Sequence, residues 1–321
     1  MPVVDKKYYS EIKRNLSKRK SFVAKLAEKQ ATVPERSKLL PNEVGIAKGI
    51  IVEQGITTVY ALPGVPLELE VMFANGVLPL LLKGQRGRSC SSEVIKTAGI
   101  SESVLMQKIG KISKIYPDIE LGFYPNYGEV TLILKTILAK KAKLRLLKNK
   151  IQNKLKPWVY ADQEISLTEA VALKLKKKKY KISTAESCTG GLIAKRLTDT
   201  SGASAYFKGG IIAYNNAIKI QHLGVEASAL KKYGAVSSVV ARQMAKGAMR
   251  QFKTQVAISI TGIAGPSGGT KSKPVGTVFM CISIKNKLAM YSLKIKGSRT
   301  VIRYRASQIA MIQLLKLLSR S

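Results

Sequence analysis

The stretch STAESCTGGLIAKRL, residues 183–197, sets Ser187, Cys188 and Thr189 in a row between an apolar approach and the pair Gly190–Gly191. An apolar run that stops at a hydroxyl and restarts after two glycines reads as strand, tight turn and helix. That shape lifts a side chain to the end of a sheet and aims the first backbone N–H groups of the helix at whatever binds there, an oxyanion or a phosphate. The same residue types also cap helices without doing chemistry. Residue type alone leaves Ser187 and Cys188 both open as nucleophile, since a thiolate is intrinsically the stronger.

A serine needs a base. The chain has one histidine, His222, in the helical stretch NNAIKIQHLG, where it reads as a surface or helix-end residue. Lysine is the alternative, and Lys219 falls in the first turn of that helix, directly after the apolar run GGIIAY. A helix N-terminus and burial both disfavour the ammonium form, so a lysine placed there can become a proton acceptor. Tyr214, five residues earlier, is placed either to relay that proton or to lie as an aromatic lid on the sheet. The segment SITGIAGPSGG, residues 259–269, carries Thr261 and Gly262 at a strand end and then further glycines. Its spacing fits neither the dinucleotide nor the nucleoside-triphosphate fingerprint, which leaves a pocket wall or a plain turn. Arg299, in KIKGSRTVIR before the last helix, carries a planar fork suited to phosphate, or is simply solvated. Cys90, Cys188 and Cys281 lie far apart in no metal-ligand spacing, so neither a metal nor a cofactor is expected.

These residues need a scaffold. From residue 161 to 321 strand and helix patterns alternate, with strands at YKISTAES, GGIIAY, QVAISITG and GTVFMCISIK. Helices read at SLTEAVALKLKKKK, GGLIAKRLTD, NNAIKIQHL, SVVARQMAKGAMRQF and in the closing TVIRYRASQIAMIQLLKLLSR. Such alternation predicts an α/β domain with helices covering a central sheet. Residues 86–160 pair a helical pattern, SESVLMQKIGKISKIY, with strand patterns in IELGFYPNYGEVTLILKTIL, a small α+β spacer domain. Residues 1–85 close with a strand TVYAL, a Pro-Gly turn and an amphipathic segment whose expected core positions are Leu67, Val71, Phe73 and Leu78. The stretch GQRGRSCSSE reads as the linker between these two parts.

The formal charge is +36, from 55 Lys and Arg against 19 Asp and Glu. The lysines are spread along the chain, and the dense tracts KKAKLRLLKNK and LKKKKYK carry few aromatics for bases to stack on. A solvated basic surface with only nonspecific nucleic-acid attraction is expected. No apolar run reaches the length of a membrane span and the N-terminus shows no secretory pattern, which predicts a cytoplasmic protein without membrane contact.

Four segments, TAESCTGGLIAKRLTDTSGASAYFKGGIIAYNNAIK, GAVS, ISITGIAGPSGG and KPVGTV, follow in unbroken order and closely resemble the CinA C-terminal domain, the nicotinamide mononucleotide amidase family. The resemblance implies a three-layer α/β/α amidase domain over residues 161–321. It implies hydrolysis of the carboxamide of nicotinamide mononucleotide to nicotinic acid mononucleotide and ammonia. Within it Ser187 is the nucleophile, Lys219 the base and Tyr214 an assisting hydroxyl. Thr189, Gly190, Thr261, Gly262 and Arg299 bind substrate, and homodimerisation is a further expectation. Ser298 stands where the family usually has an aspartate, which puts the orientation of Arg299 in question. Residues 1–85 resemble the second half of a molybdopterin-binding-like (MoaB-like) α/β domain through KQATVPERSKLLPNEVGIAKG and its continuation. The glycine-rich opening of that domain has no counterpart before Lys6, and Ile46 and Lys48 replace a usual Thr and Pro. The expectation is an incomplete, inactive domain whose parallel sheet packs poorly and leaves residues 1–60 mobile or dependent on a partner. Two other functions stand beside the amidase: cleavage of ADP-ribose by residues 1–160, and a competence role resting on nucleic-acid attraction.

Overall fold

The computed structural model describes residues 1–18, 24–84, 90–113, 116–137, 140–285 and 287–320, arranged as two compact units, Met1–Arg88 and Ser89–Ser321. In the first unit β1 (Pro2–Val4) leads into α1 (Lys6–Lys18) and α2 (Ala24–Ala31), and β2 (Thr32–Pro34) returns antiparallel to β1. A meander of β3 (Lys38–Leu40), β4 (Gly49–Gln54) and β5 (Thr57–Ala61) follows, also antiparallel. The expected parallel sheet is therefore corrected: among the described residues every strand pair in this unit is antiparallel.

After β5 the chain forms α3 (Pro66–Met72), a π-helical turn over Phe73–Val77 and α4 (Leu78–Gly84). Met72 and Val77 are the residues it buries, against Leu40 and Ile51. Leu67, Phe73 and Leu78 are exposed and Val71 half-buried, so the expected core face is wrong. The reason is the π turn. Its i→i+5 spacing brings Met72 and Val77, five apart, onto one face and rotates the 3.6-residue stripe away from it.

In the second unit the spacer comes first, with β6 (Cys90–Ala98), α5 (Glu102–Ser113), β7 (Glu120–Asn126), β8 (Glu129–Ile137), α6 (Lys141–Leu155) and β9 (Val159–Ala161). Its antiparallel sheet has the order β7-β8-β6-β9. Alternate residues Val130, Leu132 and Leu134 of β8 meet Leu105 and Ile109 of α5 and Leu144, Leu147, Ile151 and Leu155 of α6. The lysine tract at 140–150 is thus half of an amphipathic helix, with leucines and isoleucine at spacings of three and four and the lysines on the wet side.

The C-terminal part runs α7 (Leu167–Lys177), β10 (Ile182–Glu186), α8 (Leu192–Thr198), β11 (Phe207–Ile212), α9 (Asn216–Leu223), α10 (Ala227–Tyr233) and α11 (Ser238–Phe252). It ends with β12 (Val256–Gly262), β13 (Thr277–Ile284), β14 (Lys287–Lys294) and α12 (Arg299–Arg320). Ser166 and Glu169 form a reciprocal capping box at the start of α7. The sheet order is β11-β10-β12-β13-β14, with β11, β10 and β12 mutually parallel and the last two strands antiparallel. Strand β14 and helix α10 lie in sequence where no element was expected; β14 alternates exposed and half-buried residues as an edge strand and so lacks a continuous apolar run.

Three layers result. Ile182, Ile258, Ile260, Val278, Met280 and Ile282 face α7, α8 and α12. The opposite face presents Ala185, Ala257 and Cys281 to α9 and α11. Small residues there let α11 approach closely, and Ser259 Oγ donates to the Ala241 carbonyl at 2.5 Å. The expected three-layer α/β/α architecture is present.

Candidate active site

Ser187 follows β10 directly, and its N–H donates to the Ile260 carbonyl of β12 at 3.0 Å. The chain then turns through Gly190 and Gly191 at φ of +59° and +90°. Side chains rarely adopt those angles, and a Cβ at either position would stand within 3.1 Å of Arg303 Nη2 or 3.0 Å of Ile212 Cδ1. Both glycines are therefore set by backbone geometry and crowding.

Glu186 explains the rest of the turn, and the sequence reading missed it. Its side chain, 1 % exposed, folds back under α8. Oε2 accepts from Thr189 Oγ1 at 2.7 Å, Gly191 N at 3.1 Å and Ile193 N at 3.0 Å, while Oε1 accepts from Ala194 N at 2.8 Å. A carboxylate thus satisfies the free amides of the helix start and complements its dipole. This corrects the expectation that those amides hold a substrate anion. It also relocates Thr189 and Gly190: the Thr189 hydroxyl is spent on Glu186, its carbonyl accepts from Arg303 Nη2 at 2.7 Å, and neither residue lines the cleft. The signal in the sequence is a carboxylate just before a turn whose helix amides lie five to eight residues on.

Cys188 is buried, and burial pushes its thiol up to about 12, with the neighbouring Glu186 charge acting in the same direction. The amides of Cys188 and Thr189 and the Arg303 charge favour the thiolate but are outweighed. Burial thus works against the thiolate that a cysteine nucleophile needs.

Lys219 is 1 % exposed. Asn215 caps its helix, the side chain accepting from Ala217 N at 2.8 Å. Lys219 Nζ donates to the Ala213 carbonyl at 2.7 Å and to the Tyr214 carbonyl at 3.3 Å. Desolvation lowers its pKa below the ordinary lysine range. A neutral amine has two N–H donors and one lone pair; the two carbonyls use the donors and leave the pair free to accept.

Ser187, Cys188, Tyr214, Lys219, Thr261, Gly262 and Arg299 line one cleft of about 230 Å³, joined by Asn216, Ala235, Val236 and Ala264. It opens at the C-terminal ends of the three parallel strands, where open α/β sheets place ligands. Among the described residues Ser187 Oγ and Lys219 Nζ share no direct hydrogen bond. The Tyr214 hydroxyl accepts from Arg299 Nη2 at 3.0 Å, and it is the Tyr214 carbonyl, not its hydroxyl, that meets Lys219. Arg299 Nη1 donates to the Gly265 carbonyl at 2.9 Å, so Arg299 is oriented without an aspartate at 298. Thr261 Oγ1 donates to the Ala235 carbonyl, tying the cleft wall to the GAVS segment. His222 is exposed at the end of α9 and lies outside the cleft.

The chain matches the CinA C-terminal domain over residues 164–318 and the damage-inducible protein CinA KH domain over residues 92–161. A CinA-like protein of Dictyoglomus thermophilum is 40% identical over 279 residues, 86% of this chain and 68% of that one. A CinA-like protein of Kosmotoga olearia is 37% identical over 315 residues, 96% of this chain and 76% of its own. Among solved structures, the competence/damage inducible protein CihA from Agrobacterium tumefaciens is 36% identical, covers 50% of this chain and 99% of its own, and has a TM-score of 0.45. With both of its C-terminal segments matched in order and two relatives covered along more than two thirds of their length, this chain belongs to the CinA family.

Proposed function

We propose that the cleft hydrolyses the carboxamide of nicotinamide mononucleotide to nicotinic acid mononucleotide and ammonia, as the resemblance of its motifs implies. The observation that carries this reading is the convergence on one cleft of a serine hydroxyl with no hydrogen bond among the described residues and a buried lysine that, when neutral, donates both N–H groups to carbonyls and keeps its lone pair free. Ser187 Oγ attacks the carboxamide carbon while Lys219 takes the hydroxyl proton. The C–N bond then breaks, Lys219 returns the proton to the departing ammonia, and an ester to Ser187 remains. Water, deprotonated in turn by Lys219, cleaves the ester, and the proton goes back to Ser187. The α8 amides are spent on Glu186, so the Tyr214–Arg299 pair at the cleft rim supplies the donors facing developing negative charge. At about 230 Å³ the cleft suits the flat carboxamide ring, and the ribose phosphate extends toward solvent and the basic surface. The test is ammonia release from nicotinamide mononucleotide by the purified chain and by Ser187→Ala. A fall on the order of 10³-fold or more is expected on loss of the nucleophile, and equal rates would remove Ser187 from the reaction.

A further inference from the structure

A second and larger cavity, about 480 Å³, lies within the second unit between the spacer and helices α7 and α12. Its volume is in the ordinary range for small-molecule sites, which favour domain junctions. One wall carries Tyr160 and Trp158, the Trp158 ring already having Lys108 Nζ at 5.0 Å from its centroid. Trp158 is fixed there by its backbone, its N–H donating to the Leu155 carbonyl at 2.8 Å and its carbonyl accepting from Ala98 N at 2.9 Å. Tyr160 stands beside it with its hydroxyl donated to Glu129 Oε2 at 2.5 Å, so what it offers the cavity is its ring. Ile312 and Leu315 of α12 form an apolar floor.

The rim is cationic. Lys156, Lys174 and Lys316 line it, and among the described residues no Asp or Glu does. Lys174 and Lys316 are half-buried, and among the described residues none of the three has an ion-pair partner. Like charges brought to one rim cost electrostatic energy. An anion relieves that cost. Flat π surfaces beside unpaired cations are the complement of an aromatic base joined to phosphate: the ring stacks, and the ammonium groups take the negative oxygens. We propose that this cavity is a binding site for a free nucleoside phosphate, separate from the Ser187 cleft, with Trp158 and Tyr160 against the base and Lys174 and Lys316 on the phosphates.

Trp158 is the sole tryptophan of the chain, so the indole emission has one source, in the wall of this cavity. The experiment titrates the full chain with ADP, with adenosine and with pyrophosphate. ADP is expected to change the emission saturably. Pyrophosphate, which has no ring, and adenosine, which has no charge, should each bind about tenfold or more weaker than ADP. The double variant Lys174→Gln, Lys316→Gln should weaken ADP by about tenfold or more, while Lys231→Gln, Lys232→Gln on the exposed face of α10 and Arg299→Gln in the other cleft leave it unchanged. Far-UV circular dichroism matching the parent chain establishes that each variant is folded. No emission change with ADP at millimolar concentration, equal binding of pyrophosphate and ADP, or an affinity insensitive to Lys174 and Lys316 but lost in Arg299→Gln would each overturn the proposal.

Discussion

At the scale of the residue, Lys219 is the group on which the proposed chemistry turns. Burial lowers its pKa, so the neutral, proton-accepting form gains population as pH rises through that lowered value. The rate of ammonia release should therefore climb with pH and level off above it. Lys219→Arg keeps its charge at every accessible pH and should lose that rise together with about 10²-fold or more in rate, the usual share of a general base. Stability follows the same sign. Between the lowered pKa and the ordinary lysine value the unfolded chain binds more protons than the folded one, so the unfolding free energy rises with pH across that window. Urea titrations at several pH values should show that slope in the parent chain and a flatter one in Lys219→Met. Cys188, next to Ser187, illustrates the opposite outcome of burial: the desolvation that favours a neutral amine also favours a protonated thiol.

At the scale of the element, the β10–α8 turn depends on Glu186 more than on the serine it displays. Four donors converge on its two oxygens, three of them backbone amides of the turn and the start of α8. Glu186→Ala would leave those groups facing a void in place of a charged acceptor, at a cost of about 3 kcal/mol or more. Thermal or urea unfolding measures this directly. A loss below about 1 kcal/mol would mean that water replaces the carboxylate, and the assigned anchoring would be wrong. The same element logic governs α6, where Leu144, Leu147, Ile151 and Leu155 commit a lysine-rich helix to the spacer core. In α3 and the turn after it, by contrast, a change of helical period puts Met72 and Val77 on the covered face and leaves the leucines exposed.

At the scale of the molecule, α12 joins the two matched parts of the second unit. Tyr127 of the β7–β8 turn packs edge-on against Tyr304 at 4.9 Å. Glu129 accepts from Tyr160 and from Gln308, and Gln308 in turn accepts from Arg196 at 2.5 Å. Glu129→Ala would strand the buried Gln308 amide and the half-buried Tyr160 hydroxyl and should cost about 2 kcal/mol or more. Because the network spans both parts, the loss is expected as a downward shift of one common unfolding transition, followed by circular dichroism and by Trp158 fluorescence. Two separated transitions would show that the spacer and the α/β/α layers do not cooperate. No helix among the described residues is long and apolar enough to cross a membrane. Much of this architecture was legible in the chain. The alternation of apolar runs predicts β10, β11, β12 and β13, and the serine–glycine turn and the lysine after GGIIAY mark the cleft before any coordinates. Those features are local: an apolar period and a pair of glycines act within a few residues. Glu186 curling under its own helix, the Tyr214 hydroxyl meeting Arg299, the burial that separates Lys219 from dozens of other basic residues, and the lysine-rimmed cavity at α12 all required the tertiary structure. Each depends on groups far apart in sequence or on desolvation, and desolvation exists only once the layers have closed.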